Sequence, residues 1–322
     1  MIRPVRYRDL AAITSIHHVS TPDHLVWQSG LLPTWPSTQG TLLETLLPAR
    51  STHSYVLEEG RQIYGFVQAR PRTSYDKWDI IRLVATVDPP GDVWFKLLEY
   101  VCVAAGNRRA AKLFANVPED AGELEIFRQV GFYRFTAEAS LSLPLTDGGP
   151  LPALPATLRE AEPRDAFAIL QLYTAITPRH VQQAEGLTAR DYQPAGGRVN
   201  GWLDRFGLAR ESDRSSRSWV AEEDGKIVAW FRLRWREGRC RMSCLIQPDK
   251  RASFPEFRDY IVGAARATRP CLLGVQVRDY HQELLPLLEE IGFQRNGASL
   301  LLVKHIAVQV MERRLTPVLT RA

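Results

Sequence analysis

The densest cluster of side chains able to bind or polarise a ligand lies between Trp230 and Arg241. In the run Ala229-Trp230-Phe231-Arg232-Leu233-Arg234-Trp235-Arg236, a strand period of two puts Trp230, Arg232, Arg234 and Arg236 on one face and Phe231, Leu233 and Trp235 on the other. The next strand adds Arg239 and Arg241 in matching alternation, so up to five cations gather on a small patch. Guanidinium forks pair with carboxylate and phosphate, which makes Arg232 and Arg234 candidate substrate-binding residues. A strand face held against Glu222, Glu223 and other acids, or simply solvated, is the competing reading. Four cysteines, Cys102, Cys240, Cys244 and Cys271, fall inside predicted helix or strands without CxxC or Cys/His spacing. They read as buried thiols, and no metal site is expected.

These residues are positioned by a hairpin that the chain contains twice. Ser54 to Arg72, SYVLEEGRQIYGFVQARPR, returns at Ser218 to Arg236 as SWVAEEDGKIVAWFRLRWR, aligned without a gap. Each copy reads as strand, acidic Gly-containing turn and longer strand. The openings repeat as well: IRPVRYRDLAAI at Ile2 to Ile13 and LREAEPRDAFAI at Leu158 to Ile169, each a short strand, a turn with Asp9 or Asp165 as N-cap, and a helix. Further strands, Trp78 to Val87 and Arg239 to Ile246, end in Val87-Asp88-Pro89 and Ile246-Gln247-Pro248. After each come a helix, a buried strand (Ala111 to Val117, Cys271 to Val277), a helix ending Val130-Gly131-Phe132 or Ile291-Gly292-Phe293, and a final strand, Glu138 to Leu145 or Ala298 to Val308. Gly131 and Gly292 stand just past helix ends, where positive φ is wanted.

Two look-alike domains are expected, residues 1–145 and 156–322, joined by a semi-rigid linker at 146–155. A length of 322 residues with 45% hydrophobic composition gives each half enough apolar mass for its own core. The net charge of +5 is spread along the chain, which disfavours a nucleic-acid footprint. No run has the length of a membrane span and the N-terminus has no apolar segment, so a cytoplasmic location is expected. Aromatics in the irregular regions, Trp27, Trp35, Trp202 and Phe206, are candidates for an acceptor pocket or for lid packing.

The element order, the openings IRPVRYRDL and LREAEPRD, the strand ends V-D-P and I-Q-P, and the closings FRQVGF and LEEIGF together resemble the GNAT (Gcn5-related N-acetyltransferase) superfamily in tandem. The resemblance implies an α/β fold of two domains, each a mixed, mostly antiparallel sheet with helices on both faces. It also implies acyl transfer from acetyl-coenzyme A or another acyl-coenzyme A to a small-molecule amine or peptide acceptor, with no metal, by a monomer or homodimer. Coenzyme diphosphate would sit at the amides after Pro248 with Arg251 beside it, and backbone at Cys244, Leu245 and Ile246 would face the thioester.

The chain departs from the family pattern where it matters. A Gln or Arg is expected three places after the strand-ending Pro and small residues at six and eight; the second half has Arg251, which fits, then Phe254 and Glu256, which do not, and the first half has Asp92, Phe95 and Leu97. The usual tyrosine proton donor is replaced by Phe127 and Leu288. His281, with Tyr280 beside it, is the replacement acid or base, and Glu222 lies within conceivable reach of an amine; Asp79 is a candidate base in the first half by position only. A catalytically inactive tandem scaffold that binds a ligand or partner is the alternative to an acyltransferase working in its second half.

Overall fold

The computed structural model describes residues 1–19, 52–72, 76–86, 92–145, 151–193, 216–236, 239–268 and 272–306. Trp27, Trp35, Trp202, Phe206, Cys271 and the V-D-P turn lie outside the described residues.

The first half runs through β1 (Ile2–Pro4), α1 (Leu10–Val19), β2 (His53–Glu59), β3 (Gln62–Pro71), β4 (Lys77–Ala85), α2 (Val93–Gly106), β5 (Lys112–Pro118), α3 (Leu124–Gln129) and β6 (Tyr133–Pro144). The second half repeats it: β7 (Leu158–Glu160), α4 (Ala166–Ile176), α5 (Arg179–Glu185), β8 (Ser216–Glu223), β9 (Lys226–Arg236), β10 (Arg239–Ile246), α6 (Phe254–Arg266), β11 (Leu272–Arg278), α7 (Leu284–Glu289) and β12 (Gln294–His305). Both hairpins close through two residues of positive φ, Gly60-Arg61 (57° and 77°) and Asp224-Gly225 (49° and 72°). This turn matches the right-handed twist of the strands it joins.

The strands form one 12-stranded sheet in the order β1-β2-β3-β4-β5-β12-β6-β11-β10-β9-β8-β7. Read from either end, the order is the same once each strand is replaced by its repeat. The two halves therefore share one element order, while the expectation of two separate sheets does not hold. The halves exchange their last strands: β12 pairs antiparallel with β5 of the first half, and β6 pairs antiparallel with β11 of the second. β6 and β12 then pair with each other at the centre, with two register shifts. Both begin several residues earlier than the sequence suggested. Their first residues, Tyr133-Arg134 and Gln294-Arg295-Asn296-Gly297, are polar or exposed and carry no strand pattern, yet the neighbouring exchanged strand gives their backbone a partner.

Helices cover both faces. On one side α2 and α3 bury Phe127 and Phe132 with Trp78 and Leu97, and α6 and α7 bury Phe257, Leu288 and Phe293 with Trp219 and Phe231. On the other, α1 packs on Val56, Phe66 and Val84, while α4 packs on Val220 and Trp230. α5 lies over the central strands, with Val181 and Ala184 against Phe114, Phe135 and Val303. Lys112 Nζ from the first half donates to the Ala184 carbonyl at 2.9 Å, satisfying a free C-terminal acceptor of α5. Gly131 and Gly292 have φ of 91° and 96°, as their place past a helix end requires.

The repeated opening motif has a different mechanism from the expected N-cap. Asp9 Oδ2 accepts from the Arg6 backbone N–H at 2.6 Å, and both its oxygens take the Arg3 fork at 2.6 and 2.8 Å. Asp165 does the same with Glu162 N–H at 2.7 Å and the Arg159 fork at 2.7 and 2.9 Å. Each carboxylate closes the short 3-10 turn ahead of the helix and ties it to the edge strand, instead of capping the helix itself.

Candidate functional site

In each half, two neighbouring parallel strands start paired and then part. β10 pairs with β11 only from Arg239↔Leu272 to Met242↔Val275, although β10 stays on β9 to Ile246 and β11 stays on β6 to Arg278. The backbone edge of Ser243–Ile246 toward β11 is therefore without a strand partner. The first half opens in the same way: β4 pairs with β5 only over Lys77–Asp79. Strand edges of this kind leave backbone donors and acceptors outside the ladder.

Of the sequence-derived residues, Arg251, His281, Tyr280 and Cys244–Ile246 fall around the second opening. At its mouth, the 3-10 turn Pro248–Ser253 carries Lys250 and Arg251. Lys250 Nζ lies 2.5 Å from Glu223, and Arg251 forms an ion pair with Glu283, at the start of α7. The Glu283 Oε1 atom that meets Arg251 also lies 3.5 Å from His281 Nδ1. The structure thus brings Arg251 and His281 together through a residue that sequence reading missed; a Glu at a helix start looks like surface charge until its contacts are seen.

His281 is buried, and neither ring nitrogen has a hydrogen-bond partner among the described residues. Burial pushes its pKa below the usual 6.5, against an upward pull from Glu283, so the ring is neutral at pH 7. Tyr280 touches the His281 ring edge-on at 4.7 Å but packs with the apolar cluster under α5. Burial raises its phenol to about 12. That combination makes it a wall of the site and a poor acid near pH 7.

Cys244 and Ile246 face the α6 side of β10, and Leu245 packs toward α4. Burial raises the thiols of Cys102 to about 11 and of Cys240 and Cys244 to about 12, which makes them unreactive. Phe254 and Phe257 are fully buried and lie against Phe231 at 6.3 and 5.9 Å. The bulk that the sequence placed at the anion mouth therefore points into the core, although Pro255 still removes one N–H from the first turn of α6. Phe127 and Leu288, at the family's tyrosine positions, are both core residues.

Other candidates are engaged elsewhere. Glu222 pairs with Arg159 at 2.8 Å on β8, three strands from β11 in the sheet, and is not brought together with His281. Asp79 takes two hydrogen bonds from Arg72, whose guanidinium stacks 3.6 Å over Phe114. Arg232 is buried and donates to the carbonyls of Asp191 and Gln193, both at 3.2 Å, which fastens the turn after α5 to β9. Arg234 is exposed and sits opposite Arg241 in the β9–β10 ladder.

On the α4–α5 face beside the opening, Arg278 Nη2 donates to Glu185 at 2.9 Å and Nη1 lies 3.7 Å from Glu138. Tyr173 OH donates to Glu185 at 2.7 Å, and Asn116 to Glu138 at 2.8 Å. Among the described residues no group of His, Cys, Asp or Glu could hold a metal ion, and no helix is long and apolar enough to cross a membrane.

No family model matches the sequence, and no curated protein matches it. Solved structures do match over nearly the whole chain. A tandem GNAT protein from the clavulanic acid biosynthesis pathway aligns with a TM-score of 0.56 at 12% identity, covering 95% of this chain and 98% of that one. A GCN5-related N-acetyltransferase from Sphaerobacter thermophilus aligns with a TM-score of 0.57 at 14% identity, covering 95% of each chain. The fold is that of the tandem GNAT proteins.

Proposed function

We propose that this chain, built on the tandem GNAT fold, is an acyltransferase whose second half moves an acyl group from acyl-coenzyme A to an amine. The observation that carries the reading is the parting of β10 from β11 after Met242, which leaves the Ser243–Ile246 edge without a strand partner. Fold likeness alone would not carry it, since one fold serves many functions.

The residues around the opening fit the coenzyme. The free edge of β10 can hydrogen-bond the extended arm, and Lys250 and Arg251 are cations at the mouth, where a diphosphate arrives. Each is held by one glutamate, Glu223 or Glu283, so a diphosphate would compete with a single carboxylate for each. Acyl-coenzyme A, when bound, supplies an activated thioester carbonyl.

The reaction then asks the protein for proton handling. The amine attacks the carbonyl carbon, the C–N bond forms, and the C–S bond breaks with its electron pair on sulfur. His281 is neutral at pH 7 and next to the mouth, so it suits the role of base for the amine proton and, once protonated, of donor to the thiolate. Glu283, beside it, steadies the imidazolium.

A second reading, an inactive scaffold that keeps a ligand, draws on the core placement of Phe127 and Leu288 and on the engaged state of Arg251. Hydrogen exchange with and without acetyl-coenzyme A tests the proposal: slowed exchange at Ser243–Ile246 is expected. Unchanged exchange along β10 at millimolar acetyl-coenzyme A would remove its basis.

A further inference from the structure

Among the described residues, Arg241 of the arginine face has no hydrogen-bond or ion-pair partner, and its Nε is shielded from solvent. Burial and the like charges of Arg234 and Arg278 disfavour its charged form, with only Glu138 opposing them. A shielded N–H without an acceptor loses its hydration for nothing in return. Arg278, by contrast, already has Glu185 and Glu138.

A complementary orphan lies across the opening. Arg241 is opposite Gly274 on β11, which presents no side chain there, and Gln276 is two residues further along β11 on the same face. Gln276 Oε1 is likewise shielded and lacks a donor among the described residues. Gln276 follows the last β10–β11 pair, Met242↔Val275, so it stands where the opening begins. Two residues along a strand span roughly 6.6 Å and neighbouring strands lie about 4.8 Å apart, distances that the two long side chains can bridge onto one small molecule. Both residues keep part of their surface exposed, so the pair remains reachable.

We infer that the acceptor is a small amino acid. Its carboxylate is held by Arg241, and its amine donates to Gln276 Oε1 at the apex of the opening, beside the place proposed for the thioester. A donor-only fork and an acceptor-only oxygen at this spacing match the two ends of an amino acid. Arg241 presents one guanidinium fork, whose paired donors match the two oxygens of a carboxylate. The reaction rests on the acyl-transfer reading; the binding of the amino acid does not.

The test is saturation-transfer NMR on the full chain with the L-amino acids that occur in proteins, each compared with its carboxamide and with its decarboxylated amine. At least one free acid is expected to bind, with its carboxamide weaker by roughly ten- to hundredfold, the value of a hydrogen bond to a charged group. Arg241→Gln should abolish that preference, and Gln276→Leu should weaken the acid without restoring the carboxamide. Arg241→Gln removes an unpartnered charge and is expected to keep or raise Tm; if it fails to fold, Arg241→Lys, which loses the fork, should still weaken the acid. Binding of no free acid, equal binding of acids and carboxamides, unchanged binding in Arg241→Gln, or a preference for inorganic phosphate would overturn the inference. Acid binding through Arg241 with no acetyl-coenzyme A binding in any variant would retain the inference and remove the acyl-transfer reading.

Discussion

Arg251 and Glu283 form an ion pair across the mouth of the β10–β11 opening, and the same glutamate oxygen lies 3.5 Å from His281 Nδ1. The residue nearest the proposed diphosphate and the residue proposed to move the proton thus share one carboxylate. A ligand that draws Arg251 away leaves Glu283 to His281, so occupation of the mouth raises the proton affinity of the base.

That coupling is measurable in the free protein. The His281 ring proton signal should titrate with a midpoint below 6.5, because burial outweighs the neighbouring carboxylate. Glu283→Gln removes the upward pull and should move the midpoint lower still, in a two-dimensional NMR titration. A midpoint at or above 6.5 in the wild type would contradict the assigned environment.

The same shift has a consequence for stability. A histidine whose folded pKa lies below its unfolded value costs nothing above about 6.5, where both states are neutral. As pH falls below that, the unfolded chain takes up a proton that the folded imidazole refuses, and stability is lost until the folded pKa is reached. His281→Leu should flatten this acid loss in urea unfolding between pH 7 and 5. An unchanged pH slope would mean that the ring is not buried neutral.

The duplicated Arg–Asp forks differ in their surroundings, and their deletion should differ accordingly. The Arg3 and Asp9 side chains are 6% and 3% exposed, whereas the Arg159 side chain is 35% exposed. Arg3→Ala strands a buried carboxylate and should cost about 2–3 kcal/mol; Arg159→Ala should cost about 1 kcal/mol. Chemical denaturation of the two variants checks the ranking, and equal costs would show that burial does not set it.

Exchange of β6 and β12 makes each half dependent on the other, since β5 and β11 find their second neighbours across the divide. Residues 1–145 and 156–322 produced separately should be unstable or self-associated, with β5 or β11 left as an open edge. Co-expressed, they should copurify as a complex of one copy of each. Two stable, non-interacting monomers would contradict the continuous sheet.

The repeated element order, the hairpins and the glycines past α3 and α7 were legible because each is a local signal: matching residues, alternation, or a single φ requirement. The strand exchange was not, because alternation says which face a residue occupies and nothing about which strand lies beside it. Register likewise put Arg232 and Arg241 on one face, but only the fold separates Arg232, spent on the carbonyls of Asp191 and Gln193, from Arg241, whose Nε has no acceptor among the described residues. Phe254 read as an obstruction at the mouth until its contact with Phe231 placed it in the core.

Thermal unfolding with acetyl-coenzyme A addresses the acyl-transfer account most directly. At a hundred times its dissociation constant the ligand should add roughly 2.7 kcal/mol to wild-type stability. The gain should shrink in Arg251→Ala and grow at equal ligand concentration in Glu283→Gln, where the cation is released. No rise in Tm at millimolar acetyl-coenzyme A, in wild type and both variants alike, would contradict the account.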